Sequence, residues 1–238
     1  MKSERLNTQP VEALLRRHTA HTEPYAVDFM GMQIFIDPEV FNPTYTKVSG
    51  FLAKNVSVQL GESVLDMFCG SGAVGLSTLR TAKKLVGVDI SPKAVRCSAV
   101  NAKRMGVSHK SEFRQGNLWC AVDTSERFDV ILANPPLLPA IPETLLEMAV
   151  ADSPEMKLTS GFIAGLPEHL TNGGHALMAF SNACSVYVGD PMDFIRQESA
   201  AAGVRSEIYD EWDVGYEVYR IIKFTKIGGA NGKNHSNS

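Results

Sequence analysis

The chain has 238 residues, of which 44% are hydrophobic and 21% charged, and its formal net charge is -3 at neutral pH. Such a composition belongs to a globular protein of one large or two small domains and excludes collagen-like, coiled-coil and wholly disordered chains. A near-neutral balance also speaks against a dedicated nucleic-acid binder.

No apolar run approaches the roughly 18 residues of a membrane helix. The polar start Met1-Lys2-Ser3-Glu4-Arg5 does not resemble a signal peptide, so a cytoplasmic location is expected. In chain order, Pro10–His21 is expected to be a helix, with Val11, Leu14, Leu15 and His18 on one face. Tyr25–Phe29 and Gln33–Ile36 read as a hairpin turning at Gly31-Met32. Pro38 and Pro43 break the chain before a helix over Thr44–Val56.

From Ser63 the pattern is regular. Strands are expected at Ser63–Phe68, Lys84–Ile90, Ser111–Gln115, Phe128–Ala133, His175–Phe180, Arg205–Tyr209 and Tyr219–Lys226. Helices are expected over Gly72–Arg80, Pro92–Met105, Ile141–Ala149, Met156–Leu170 and Pro191–Ala202. Ser91 caps the second of these with Pro92 in its first turn, and Gly106 stops it. Gly173-Gly174 closes the helix that starts at Met156. Strands alternating with helices make an α/β, doubly wound, mostly parallel seven-stranded sheet. The last two strands follow one another through a polar link holding Trp212 and Tyr216, so they should pair antiparallel at one edge. Residues 1–50 then form a helix and hairpin cap, 51–227 the main domain and 228–238 a disordered tail.

The first chemical signal is Asp66-Met67-Phe68-Cys69-Gly70-Ser71-Gly72-Ala73-Val74-Gly75. Gly70, Gly72 and Gly75 fit G-x-G-x-x-G between a strand and a helix, where the backbone turns sharply and approaches a ligand. Asp66 ends the strand before this loop. A carboxylate there repels a pyrophosphate and attracts an amino group. Asp89 ends the next strand, where a carboxylate accepts both ribose hydroxyls of an adenosine. A phosphate-free adenosine carrying an amino acid satisfies both acids, and that ligand is S-adenosylmethionine. A nicotinamide-dependent oxidoreductase is the rival on the glycines, but it gives Asp66 no task.

On these motifs the segment from about Ser63 to Lys226 resembles the class I S-adenosylmethionine-dependent methyltransferases. The resemblance implies a Rossmann-like fold and S-adenosyl-L-methionine as cofactor. It places Asn117, in Gln115-Gly116-Asn117-Leu118, against the adenine where the family commonly has Asp; its side-chain oxygen still accepts a hydrogen bond. The cofactor set it implies is Asp66, Phe68, Gly70, Gly72, Asp89, Ile90, Asn117, Leu118 and Asn134, with no metal.

The second signal is Asn134-Pro135-Pro136-Leu137 at the end of the fourth strand, where ligands sit in open parallel sheets. An Asn-Pro-Pro turn followed by an aromatic resembles methyltransferases of planar nitrogens, including release-factor glutamine, ribosomal RNA guanine and adenine enzymes. There the Asn134 oxygen and the Pro135 carbonyl would accept the two N–H bonds of a substrate NH2 and aim its lone pair at the methyl group. Leu137 replaces the aromatic and offers an apolar surface without a π face. A loose match of Phe35-Ile36-Asp37-Pro38-Glu39-Val40-Phe41-Asn42-Pro43 to the same enzymes suggests a loop closing over the cofactor. The acceptor is expected to be a nitrogen of a protein or a small molecule. An RNA base is the alternative, and a non-catalytic binding or protein-interaction module is the rival of another class.

The remaining candidates read more plainly. Cys69, Cys97, Cys120 and Cys184 have no metal-ligand spacing and should be reduced thiols, mostly packed inside. Arg96, Lys103, Arg104, Lys110 and Arg114 read as a solvated face, and His18 and His21 as surface residues. Trp119 fits either the adenine or the core, while Tyr45, Trp212 and Tyr216 read as structural. Oligomeric state is open.

Overall fold

The computed structural model describes residues 9–139, 142–153 and 155–228. The expected tail from 229 onward, and Ile141 at the start of one expected helix, lie outside them. Helix α1 (Gln9–Thr19) and a hairpin of β1 (Tyr25–Phe29) and β2 (Met32–Ile36) form the front of the chain. A loop then leads to α2 (Val48–Asn55), shorter than expected because the chain from Thr44 to Lys47 bends before the helix begins. The glycine loop follows β3 (Ser63–Met67) and opens α3 (Ala73–Ser77), which tightens into a 3-10 turn at Thr78–Arg80. Next come β4 (Lys84–Asp89), α4 (Pro92–Arg104), β5 (Ser111–Gln115) and β6 (Phe128–Ala133).

After β6 the elements differ from those expected. Two short strands, β7 (Leu138–Pro139) and β8 (Ala151–Asp152), pair in parallel around α5 (Leu145–Met148). The helix expected over Ile141–Ala149 is thus a single turn, closed by a capping box between Thr144 and Glu147. Helix α6 (Lys157–His169) ends before Gly173-Gly174; both glycines instead lie within β9 (Leu170–Ser181). There the register with β6 shifts between Phe128 and Val130. The short α7 (Ser185–Val188) precedes α8 (Pro191–Ala202), whose cap Asp190 accepts from the N–H groups of Met192 and Asp193 at 2.7 and 3.2 Å. Two long strands close the chain, β10 (Val204–Asp213) and β11 (Val218–Lys226). Trp212 is therefore on a strand rather than in a link, and only 214–217 form the turn.

The main sheet has seven strands in the order β10-β11-β9-β6-β3-β4-β5. All neighbours are parallel except those of β11, which runs against both β9 and β10. Both faces are covered, which is why the central strands are apolar at most positions. Leu65, Ile131 and Met178 pack with Phe162, Leu166 and Ile195 on one side. Val64, Leu132 and Leu177 pack with Leu52, Leu76 and Leu79 on the other. The chain winds outward from β3 to β5, then returns to place β6 on the far side of β3. That reversal opens a crevice at the carboxyl ends of β3 and β6.

Candidate active site

The crevice encloses about 1400 Å³ of empty space, its open mouth included. Asp66, Phe68, Gly70, Asp89, Ile90, Asn117, Leu118, Asn134 and Pro135 all line it. Of the residues expected to meet the cofactor, Gly72 is not on its wall. It stands behind the loop at φ 79°, its N–H on the Cys69 carbonyl at 2.7 Å, with the side chains of Leu76 and Ser98 pressed against it.

Asp66 and Asp89 are tied into the backbone. Asp66 Oδ2 accepts the Gly75 N–H at 2.9 Å. A Cβ on Gly75 would sit 2.7 Å from that same oxygen, so the third glycine makes room for the carboxylate. Asp89 accepts from Gly70 N–H and Ser91 N–H, both at 2.9 Å, which pins the loop to the end of β4. Burial pushes the Asp66 carboxyl up to about 7, against the pull of the Gly75 N–H, and the Asp89 charge adds to the rise. Burial likewise raises Asp89. Two such carboxylates strongly disfavour a phosphate and favour a ligand bearing an ammonium and hydroxyls.

Gly70 takes φ 54°, and a Cβ there would meet nothing within 4 Å, so its bare face opens onto empty space where a ligand can approach the backbone. Phe68 and Leu118 adopt φ 63° and 51° without being glycine, the kind of backbone strain that gathers at ligand sites. These features fit S-adenosylmethionine: carboxylates for its amino group and ribose, an open glycine face, and Asn117 at the end of β5.

The loop is also held from behind by residues that carried no sequence signal. Ser98 Oγ donates to the Gly70 carbonyl at 2.7 Å. Asn101 is fully buried; its Nδ2 donates to the carbonyls of Ser71 at 2.9 Å and Phe35 at 2.8 Å, while its Oδ1 accepts the Phe35 N–H at 2.7 Å. One side chain thus fastens the β2 hairpin to the glycine loop. Glu39, in the loop after the hairpin, pairs with Lys93 on α4 across the same edge.

At the other end, the Asn134 amide is oriented by Ser49 on α2. Its Nδ2 donates to Ser49 Oγ at 3.0 Å, and its Oδ1 is buried with no partner. Ser49 lies 85 residues away in sequence and was not foreseen. Leu137 packs against both core clusters and forms an apolar wall beside the turn.

The structure corrects two of the plainer expectations, those for His18 and Arg114. His18 is fully buried rather than on the surface, its ring 4.7 Å from Tyr45 and 5.5 Å from Phe41. Burial, with Arg17 and His21 nearby, lowers it to about 4. Arg114 is not solvated: it bridges Glu112 and Glu126 at 2.7 and 2.5 Å. Trp119 belongs to the core, stacked on His169 at 4.7 Å with its Nε1 donating to the Gly161 carbonyl at 2.8 Å. Cys69, Cys97 and Cys184 are buried thiols and Cys120 is exposed. No helix among the described residues is long and apolar enough to cross a membrane.

Strand order, glycine loop and paired carboxylates together define a class I S-adenosylmethionine-dependent methyltransferase. A family model for the methyltransferase small domain matches residues 31–186, and the chain belongs to that family. A Methanocaldococcus jannaschii protein, provisionally named a protein N5-glutamine methyltransferase, is 30% identical over 154 residues, covering 62% of this chain and 75% of its own. A 23S rRNA (uracil(747)-C(5))-methyltransferase of Shewanella pealeana is 28% identical over 151 residues, or 55% of this chain. The match spans only 38% of that relative's length. Among solved structures, the ribosomal protein L11 methylase of Lactobacillus delbrueckii subsp. bulgaricus aligns with a TM-score of 0.56 at 20% identity, over 79% of this chain and 82% of that one.

Proposed function

We propose that the chain transfers the methyl group to a nitrogen of a carboxamide or amine, in a protein or small-molecule acceptor. When bound, S-adenosylmethionine supplies an electrophilic methyl group on a sulfonium. The observation that carries the acceptor is Asn134: the residue lines the crevice, one end of its amide is anchored on Ser49, and the other end is a buried, unpartnered oxygen. An oxygen placed so is costly until a donor reaches it, and an acceptor N–H is such a donor.

The Pro135 carbonyl, next along the same stiff turn, would take the second N–H. Holding both N–H bonds fixes the nitrogen lone pair in direction and stabilises the positive charge it gains as it bonds. The Asp66, Gly70 and Asp89 end of the crevice would hold the donor while the Asn134 end holds the acceptor.

An RNA base is the second reading, favoured by the likeness to the rRNA enzyme. Among the described residues, however, no Lys or Arg lines the crevice, whereas Glu39, Asp66, Asp89 and Glu217 do. That lining suits a protein or small molecule better than a phosphate backbone. To test the reading, cell extract is incubated with tritiated donor and separated into protein, RNA and small-molecule fractions. On the labelled acceptor, Asn134→Ala should lose about 10²–10³ in kcat with donor affinity nearly unchanged. Label confined to RNA, or an Asn134→Ala variant with full turnover, overturns it.

A further inference from the structure

Two residues that line the crevice each carry a buried polar side-chain atom without a hydrogen-bond partner among the described residues. The atoms are Asn134 Oδ1 and Thr46 Oγ1. The first has a task in the reading above, and the second has none. Thr46 stands three residues before Ser49, in the bend that leads into α2, and both residues line the crevice. Ser49 in turn holds Asn134. Between them, Lys47 turns away, its Nζ 5.2 Å from the centre of the Trp212 ring.

The lining decides what such a hydroxyl can serve. With no Lys or Arg among the described residues of the wall, a carboxylate or carbonyl oxygen brought in by a ligand must be met by neutral O–H and N–H groups. A threonine hydroxyl beside the positive end of a helix dipole is well suited to that.

We propose that Thr46 is an oxygen-binding residue of the site, its hydroxyl donating to a carboxylate or carboxamide oxygen of a bound ligand. Two oxygens have that chemistry: the amino-acid carboxylate of the methyl donor, and the carbonyl of a carboxamide acceptor. The second source rests on the function proposed above; the first rests only on the family.

The test uses the full chain with Thr46→Val, which removes the hydroxyl at constant shape, and Thr46→Ser, which restores it. Calorimetry compares S-adenosylmethionine with its decarboxylated analogue. In parallel, the S-adenosylhomocysteine-loaded protein is titrated with N-acetylglutamine N-methylamide and followed by NMR. A loss of about tenfold in affinity, one good hydrogen bond's worth, for the donor but not its decarboxylated analogue in Thr46→Val assigns the hydroxyl to the donor carboxylate. A similar loss for the amide alone assigns it to the acceptor. In both cases Thr46→Ser recovers wild-type binding. Thr46→Val matching wild type for both ligands, losing both donors equally, or not being rescued by serine overturns the proposal. A wild type that methylates no carboxamide sinks the proposed acceptor class, while the binding measurements still decide the role of Thr46.

Discussion

Replacing Asn101 by alanine tests whether the hairpin and the glycine loop are one mechanical unit. The side chain makes three hydrogen bonds to backbone groups, all between 2.7 and 2.9 Å and all buried. Each is worth about 1 kcal/mol net, and the orphaned Phe35 N–H and Ser71 carbonyl add a desolvation cost of about 1–3 kcal/mol apiece. Some of that cost is relieved by local relaxation, so a total loss of about 3–5 kcal/mol is expected. For a chain of this size the melting temperature should fall by about 6–20 °C. Urea denaturation gives the free energy directly, and calorimetric titration gives the donor affinity, which should weaken about tenfold as the Ser71 carbonyl loses its tether. Asn101→Asp sharpens the test. It keeps an acceptor for the Phe35 N–H but turns a second oxygen toward two carbonyls, so it should be at least as unstable. A loss below about 1 kcal/mol in Asn101→Ala, with donor affinity intact, would refute the clamp.

Two further outcomes follow from titratable groups. Asp66, held near 7 by burial, should give up its proton when an ammonium arrives beside it, since a cation favours the charged form. Donor binding at pH 7 should then release about half a proton, seen as a calorimetric enthalpy that changes with the buffer's ionisation heat. Asp66→Asn should abolish that dependence, and buffer-independent heats in the wild type would count against it. His18 is neutral when folded at pH values above about 4 but protonates from 6.5 downward when unfolded. Its contribution to stability is therefore intact above pH 6.5 and lost as the pH falls toward 4. Allowing for screening, the loss is about 1–2 kcal/mol. His18→Phe should flatten the wild-type decline in urea midpoint between pH 7 and 4.5, and parallel slopes in the two proteins would contradict this.

Much of the sheet could be read from the chain because its strands are short, apolar and punctuated. Ser91-Pro92 and Asp190-Pro191 mark helix starts, and Val130–Ala133 is apolar because both faces are covered. Local pattern misleads where tertiary contacts overrule it. Asp210-Glu211-Trp212-Asp213 looks like a link, yet it is an edge strand; a register shift after Ile208 and the Glu211–Arg220 ion pair keep its polar residues on the ladder. Gly173-Gly174 looks like a helix stop but lies in β9, where a Cβ on Gly174 would meet the Asp129 carbonyl at 2.9 Å. At the site, Asp66, Asp89 and Asn134 stand in local motifs, and the fold places all three on the wall of one crevice. Ser49, Ser98, Asn101 and Thr46 are ordinary polar residues on or before helices, and nothing in their neighbours announces them. Their meaning comes from loops and strands that only the fold brings near. His18 misled because its helix is amphipathic and the aromatic pocket that buries it is supplied by the distant Phe41 and Tyr45.

The Asn101 clamp has a consequence for how the chain comes together. It closes a loop of 66 residues, and contacts so distant in sequence form only after the intervening segments have condensed. Partly assembled chains would therefore lack the crevice, and the methyl donor would find purchase only on the finished molecule. A ligand selective in that way pulls the equilibrium toward the folded state by mass action, so the folded chain would gain stability as the methyl donor becomes more abundant.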